Sequence, residues 1–187
     1  MKLKIWIILL TLIIVVVVSL PKFLITKNKV DIKNINNEQN FMKIESSVFT
    51  NNGNIPMEYT CYGGGKSIPL TVSNILEEAE SLAFIVDDPD APGGDFVHWV
   101  LWNIDPKISM IESGNMPTGA EEGYSSLNKP GWVVPCPPSG IHHYYFKLYA
   151  LDTILSIPES SNKKNLISAM EGHILGSTIL VGLYGKG

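Results

Sequence analysis

From Phe41 onward the chain is cut into short apolar runs by glycine, proline and asparagine, the pattern of a mostly β domain. Residues 81–86 (SLAFIV) form a continuous apolar run suited to a central strand covered on both faces. Residues 96–104 (FVHWVLWNI) predict a second strand, with Trp99 and Leu101 on the face opposite His98, Val100 and Trp102. Residues 144–150 and 177–184 predict two more strands, and weaker ones are expected at 47–50, 57–61 and 70–73. One helix is expected late in the chain. Ser160 or Ser161 can cap it, and Leu166, Ile167, Ala169 and Met170 form an apolar stripe running toward Gly172 or slightly beyond. No internal repeat, heptad or second domain boundary is visible, and the roughly 147 residues from 41 to 187 suffice for one buried core.

The first 40 residues are of another kind. Residues 5–20 are apolar except for Thr11 and Ser19, with Lys2 and Lys4 before them and Lys22 after. As a helix that run reaches about 24 Å, short of the roughly 30 Å hydrocarbon core. Adding Phe23, Leu24 and Ile25 brings it to a spanning length, with Lys22 placed to snorkel. No Ala-x-Ala-like cleavage site and no lipobox cysteine follow, so residues 1–25 read as a retained membrane anchor rather than a cleaved signal peptide. The short amino-terminal tail favours an exported domain, although Lys22, Lys27, Lys29 and Lys33 count the other way by the positive-inside rule. The expected location is membrane-anchored, with the domain outside the cytoplasm. Residues 26–40 are rich in Asn and Lys without apolar periodicity and read as a polar tether.

The formal net charge of −4 conceals this division. Six lysines against Asp31 and Glu38 give +4 over residues 1–40, and eight lysines against sixteen acids give −8 over residues 41–187. An acidic domain lacks the basic face that nucleic acid requires. All fourteen basic residues are lysine, which excludes any mechanism built on a guanidinium fork.

Two segments of the domain gather groups that can do chemistry. Asp87-Asp88-Pro89-Asp90-Ala91-Pro92 ends the central apolar run, and its prolines make a stiff acidic corner. His98 follows inside an aromatic strand, where it needs a partner; the nearest carboxylates in sequence are those of the corner. The plainer reading is an acidic turn beside a satisfied core histidine. The second segment, Pro135-Cys136-Pro137-Pro138-Ser139-Gly140-Ile141-His142-His143-Tyr144, is a rigid turn feeding a strand. His142 and Tyr144 then share one face and His143 and Tyr145 the other. This makes either a pocket rim or a hairpin turn with ordinary edge residues.

Together these segments resemble the phosphatidylethanolamine-binding protein family, in its bacterial and archaeal Raf-kinase-inhibitor-like branch. Asp88-Pro-Asp-Ala-Pro92 followed by His98-Trp99 is similar to the family's first signature, and Pro135-Cys-Pro-Pro-Ser-Gly-x-His142 with the strand through Asp152 to its second. Ile55-Pro56, Tyr59-Thr60-Cys61, Ser81-Leu-Ala83 and Gly172-His173-Ile-Leu175 add to the likeness, which spans roughly residues 45–184. The resemblance implies two packed antiparallel sheets with a carboxy-terminal helix, here preceded by the amino-terminal hydrophobic helix. It also implies a small pocket for phosphate, phospholipid head groups or acetate. Carried onto this chain, the ligand-binding residues are Asp88, Asp90, His98, Pro138, His142 and Tyr144, framed by Pro92 and Trp99. A histidine held by a carboxylate at one ring nitrogen can offer the other to an anion, and backbone N–H groups of the turn can add donors.

The chain departs from the family at three places. His143 stands where the family usually has arginine, Trp132-Val133-Val134 replaces Tyr-x-Gly, and Ser67-Ile68-Pro69 replaces Ser-Pro-Pro. Cys61 and Cys136 can pair in an exported domain and would be free thiols in the cytoplasm.

The leading expectation is a membrane-tethered, non-enzymatic binding module for a small anion or head group, with no catalytic residue, metal or cofactor. The alternatives are a serine-protease inhibitor on the same scaffold, which the family resemblance allows, and more remotely a small hydrolase using His142 or His98 as base. Gly65-Lys66-Ser67 imitates a phosphate-binding loop, but Thr60 stands where the first glycine is needed and Pro69 follows closely. Neither a G-x-S-x-G elbow nor an H-E-x-x-H helix is present.

Overall fold

The computed structural model describes residues 41–186; the expected anchor and tether lie outside them. Among the described residues no helix is long and apolar enough to cross a membrane.

Among the described residues, nine strands and one α-helix build three layers. The large sheet runs β2(Gly53–Asn54)–β9(Ile174–Lys186)–β8(Gly140–Leu151)–β4(Ser81–Asp88)–β5(Phe96–Ile104)–β7(Glu121–Glu122), antiparallel except for the short β2–β9 pairing. A small antiparallel sheet, β1(Lys43–Ser46)–β3(Leu70–Ser73)–β6(Met110–Ile111), covers one face. Helix α1(Lys163–Met170) covers part of the other.

Every residue of β4 is buried, as its unbroken apolar run predicts for a central strand. Leu82, Phe84 and Val86 face the small sheet, where they meet Ile44, Leu70, Val72 and Ile111. Ala83 and Ile85 face the helix and pack with Val100, Trp102, Leu166 and Met170. Each large side chain so buried contributes on the order of 2 kcal/mol. β8 alternates in the same way, with His142, Tyr144, Phe146, Leu148 and Ala150 inward.

Four expectations need correction. The strand at β5 is present, but His98 does not lie on the face of Val100 and Trp102. Val86 pairs with Trp99 and Asp87 with Val97, so His98 is the extra residue of a β-bulge. The bulge turns its ring inward, against Tyr144. The first strand occupies Lys43–Ser46 rather than 47–50, where Phe49 instead enters the core from a loop. Residues 57–61 are not a strand: Pro56 is followed by a single 3₁₀ turn, Met57–Tyr59, closed by the Thr60 hydroxyl on the Met57 carbonyl (2.8 Å). The helix is capped by Asn162, whose side chain accepts from the Lys164 and Asn165 N–H groups, and it ends at Met170. Only Leu166 and Met170 of its stripe are buried; Ile167 is exposed.

Candidate functional site

Strand alternation sorts two adjacent aspartates. Asp87 and Asp88 end β4 and point to opposite faces of the sheet. Asp88 points inward beside β8 and accepts a hydrogen bond from His142 Nδ1 at 2.7 Å, both side chains being about 95% buried. The other Asp88 oxygen accepts the Asp90 N–H at 2.9 Å, an Asx-type turn that holds the proline corner. Asp90 then turns outward. Its Oδ2 accepts from the His143 backbone N–H (2.8 Å) and from His143 Nδ1 (2.6 Å). These two bonds hold the Asp90 carboxyl below its ordinary 3.8.

His98 reaches the same region from the bulge. Its Nδ1–H donates to the Val133 carbonyl at 2.7 Å, and the Val133 N–H returns a bond to the His98 carbonyl at 3.0 Å. The ring lies 4.9 Å from Phe96, 5.2 Å from Tyr144 and 6.1 Å from Trp132, centroid to centroid. Burial pushes His98 below its ordinary 6.5, although the Val133 bond opposes this. The imidazole is therefore neutral near pH 7, with its proton on Nδ1. Its buried Nε2 is then a lone pair without a partner. Burial, reinforced by the Asp88 charge, raises the Tyr144 phenol and keeps it protonated.

The third wall is the proline turn. Cys136 is joined to Cys61 by a disulfide with Cα atoms 5.4 Å apart, and the Cys61 N–H donates to the Pro135 carbonyl. Pro137 and Pro138 stand beside it. The result is a cavity of about 260 Å³ bounded by Asp88, His98, His142, Tyr144 and Pro138. Ala91, Pro92, Phe96, Val133, Val134, Cys136 and Pro137 complete its walls.

Of the eight residues expected at the pocket, the structure places six in its walls: Asp88, Pro92, His98, Pro138, His142 and Tyr144. Asp90 and Trp99 do not line it. Asp90 is spent on His143 at the rim, and Trp99 is buried behind, donating its Nε1–H to Glu122 (2.6 Å). Phe96 and the Val133–Val134 pair are cavity walls that sequence reasoning did not select. Phe96 opens the predicted strand and could have been found from its two-residue spacing to His98. Val133 could not, because its role is a backbone carbonyl.

The outward aspartate, Asp87, sits at a different centre. It receives Lys147 Nζ at 2.6 Å and Lys163 Nζ at 2.5 Å, and Lys163 also reaches Asp95. This charge cluster ties α1 to β4 and lies outside the cavity. Among the described residues no group of three or more His, Cys, Asp or Glu is arranged to hold a metal ion.

A family profile described as phosphatidylethanolamine-binding protein matches residues 45–185. A UPF0098 protein of Methanothermobacter thermautotrophicus is 44% identical over 151 residues, covering 78% of this chain and 100% of that protein. The Mycobacterium tuberculosis protein LppC, named as a lipoprotein, is 36% identical over 76% of this chain and 72% of its own length. Among solved structures, a Chlamydia trachomatis phosphatidylethanolamine-binding protein homologue superposes with a TM-score of 0.76 at 39% identity, covering 79% of this chain and 99% of that one. Escherichia coli YbcL, described as a member of the mammalian family, superposes with a TM-score of 0.72 at 26% identity, over 78% of this chain and 99% of its own. With its two sheets and carboxy-terminal helix and a profile match across most of its length, this chain belongs to the phosphatidylethanolamine-binding protein family.

Proposed function

We propose that the domain binds a small, singly charged oxyanion that still carries a hydroxyl, such as dihydrogen phosphate or the monoanion of a phosphomonoester head group, and holds it without turnover. The observation that carries this reading is that both pocket histidines commit Nδ1 to a fixed acceptor, His142 to Asp88 and His98 to the Val133 carbonyl, so that Nε2 is the nitrogen each has left. His142, with Nδ1 held by Asp88, gains a second N–H donor at Nε2 when it is protonated, as an imidazolium beside a carboxylate. His98, with its proton fixed on Nδ1 by Val133, keeps Nε2 as a buried, unpartnered acceptor in the wall of the cavity. Dihydrogen phosphate supplies both complements, an anionic oxygen for one ring and a hydroxyl for the other. Asp88 repels a dianion, which further favours the singly charged form.

Tethering to a membrane is part of the same proposal. It is supported by the apolar segment at residues 5–25, by the relative named as a lipoprotein, and by the Cys61–Cys136 bond, which suits an oxidising compartment.

The test is a titration of the full-length protein, observed at the histidine side chains by NMR, with separate arms of inorganic phosphate, phosphoethanolamine and acetate. Phosphate is expected to shift His98 and His142 together. Asp88→Asn, which keeps the shape and removes the charge behind His142, is expected to weaken phosphate binding about 10-fold or more, the worth of one charge-assisted bond. An unmoved pair of imidazoles in the phosphate and phosphoethanolamine arms would remove the proposal.

A further inference from the structure

A second cavity, of about 380 Å³, is lined by Trp99, Trp132, Glu122 and Lys66. The two are lined by neighbours in sequence. His98 borders the first cavity and its neighbour Trp99 the second; likewise Val133 borders the first and Trp132 the second. Trp99 and Trp132 meet edge to face at 5.7 Å, so the second cavity has two indoles in its wall.

Its polar groups are held in place. Glu122 accepts the Trp99 Nε1–H at 2.6 Å through one oxygen, leaving the other for a ligand. The loops on either side are tied by Gly114 N–H on Ser67 Oγ (2.8 Å) and by Ser113 Oγ on the Ser67 carbonyl (2.7 Å). The Lys66 stem runs past Gly114, at ordinary van der Waals distance (3.5 Å) from where a Cβ there would sit. Lys66 makes no ion pair among the described residues. Trp132 Nε1 is buried without a hydrogen-bond partner, so no polar contact pins that indole.

One cavity thus carries an uncommitted ammonium, a carboxylate with a free oxygen, and aromatic walls. A simple cation would be repelled by Lys66 and a simple anion by Glu122, whereas a ligand with both charges satisfies both residues. Indoles beside a carboxylate are also a setting that favours an ammonium group. We propose that this cavity binds a small zwitterion, with its ammonium against Glu122 and the indoles and its acidic group on Lys66. The acid can be a carboxylate, as in a free amino acid, or a phosphate, as in an amino-alcohol phosphate.

The experiment is a titration of the full-length protein observed at the tryptophan indole N–H groups, with glycine and phosphoethanolamine in separate arms and acetate and methylammonium as half-ligands. At least one zwitterion is expected to shift Trp99 or Trp132, at least tenfold more tightly than either half-ligand; the responding arm identifies the acid. Glu122→Gln keeps the acceptor for Trp99 and removes the charge, and Lys66→Met keeps the stem along Gly114. Each is expected to weaken binding at least tenfold while the phosphate response of His98 and His142 persists. Silence of both indoles in both arms, or a response unchanged in both variants, would overturn the assignment. Neither result bears on the first pocket, which is read at the histidines.

Discussion

Within four positions the chain gives three aspartates three separate tasks. Asp87 anchors the helix through Lys147 and Lys163, Asp88 orients His142, and Asp90 clamps His143 at the rim. Alternation along β4 separates the first two, and this much follows from the sequence once residues 81–88 are seen as strand. The third departs from the pocket set that the family likeness implies. His143 stands where relatives usually carry arginine, and it captures Asp90 by both its backbone and its ring. The Asp90 carboxyl lies below 3.8 because of these bonds, so their contribution to stability is present above that value and is lost as the pH falls through the lowered one. His143→Ala removes the ring bond and keeps the backbone one, and the Asp90 titration is expected to move part of the way back up. Carbon-detected NMR of the side-chain carboxyl measures this; an unmoved Asp90 would mean that the ring bond has no weight.

At the scale of elements, the long strands were readable and the irregularities that aim the site were not. The apolar run at 81–86, the aromatic strand at 96–104 and the alternation of 144–150 all reappear as β4, β5 and β8. The bulge at His98 was not visible, because a bulge depends on how two strands register, and no residue in FVHWVLWNI announces one. A second register shift in β5, between its pairings with Leu82 and Phe84, has a local sign in retrospect: Asn103 sits at φ +54°, and its side chain is exchanged with the Leu155 backbone at 2.8 Å in both directions. Short strands such as β6 and β7 carry too few residues for any period to show. The β8–β9 pair has its own constraint opposite the pocket. Gly182 pairs with Tyr144, and a Cβ on Gly182 would fall 2.7 Å from Ile55 and 2.9 Å from Phe49. Gly182→Ala is therefore expected to destabilise the domain by about 1–3 kcal/mol, the usual cost of overpacking a filled core. A lowered denaturation midpoint at unchanged slope is the expected reading, and an unchanged midpoint would show that the core yields there.

For the whole molecule, the net charge of −4 sums a +4 leader and a −8 domain, and the chain has no arginine with which to fix a phosphate. What the sequence left open was the state of Cys61 and Cys136, because Cα separation is a tertiary quantity. The structure joins them across 75 residues, from the 3₁₀ turn to the proline wall of the pocket. Closing a loop of that length restricts the unfolded chain by about 4 kcal/mol in the chain-entropy picture. The bond also holds one side of the cavity, since Cys136 lines it. The same bond can therefore be tested for both location and stability. In intact cells, denatured without reductant and treated with a maleimide, the full-length chain is expected to take up no label at either cysteine, and two labels after reduction. The double variant Cys61→Ser with Cys136→Ser is expected to lose about 2–5 kcal/mol against denaturant relative to the oxidised parent. Labelling of both thiols before reduction would place the domain in a reducing compartment. It would remove the membrane-exported part of the functional proposal while leaving the histidine pocket to stand on its own titration.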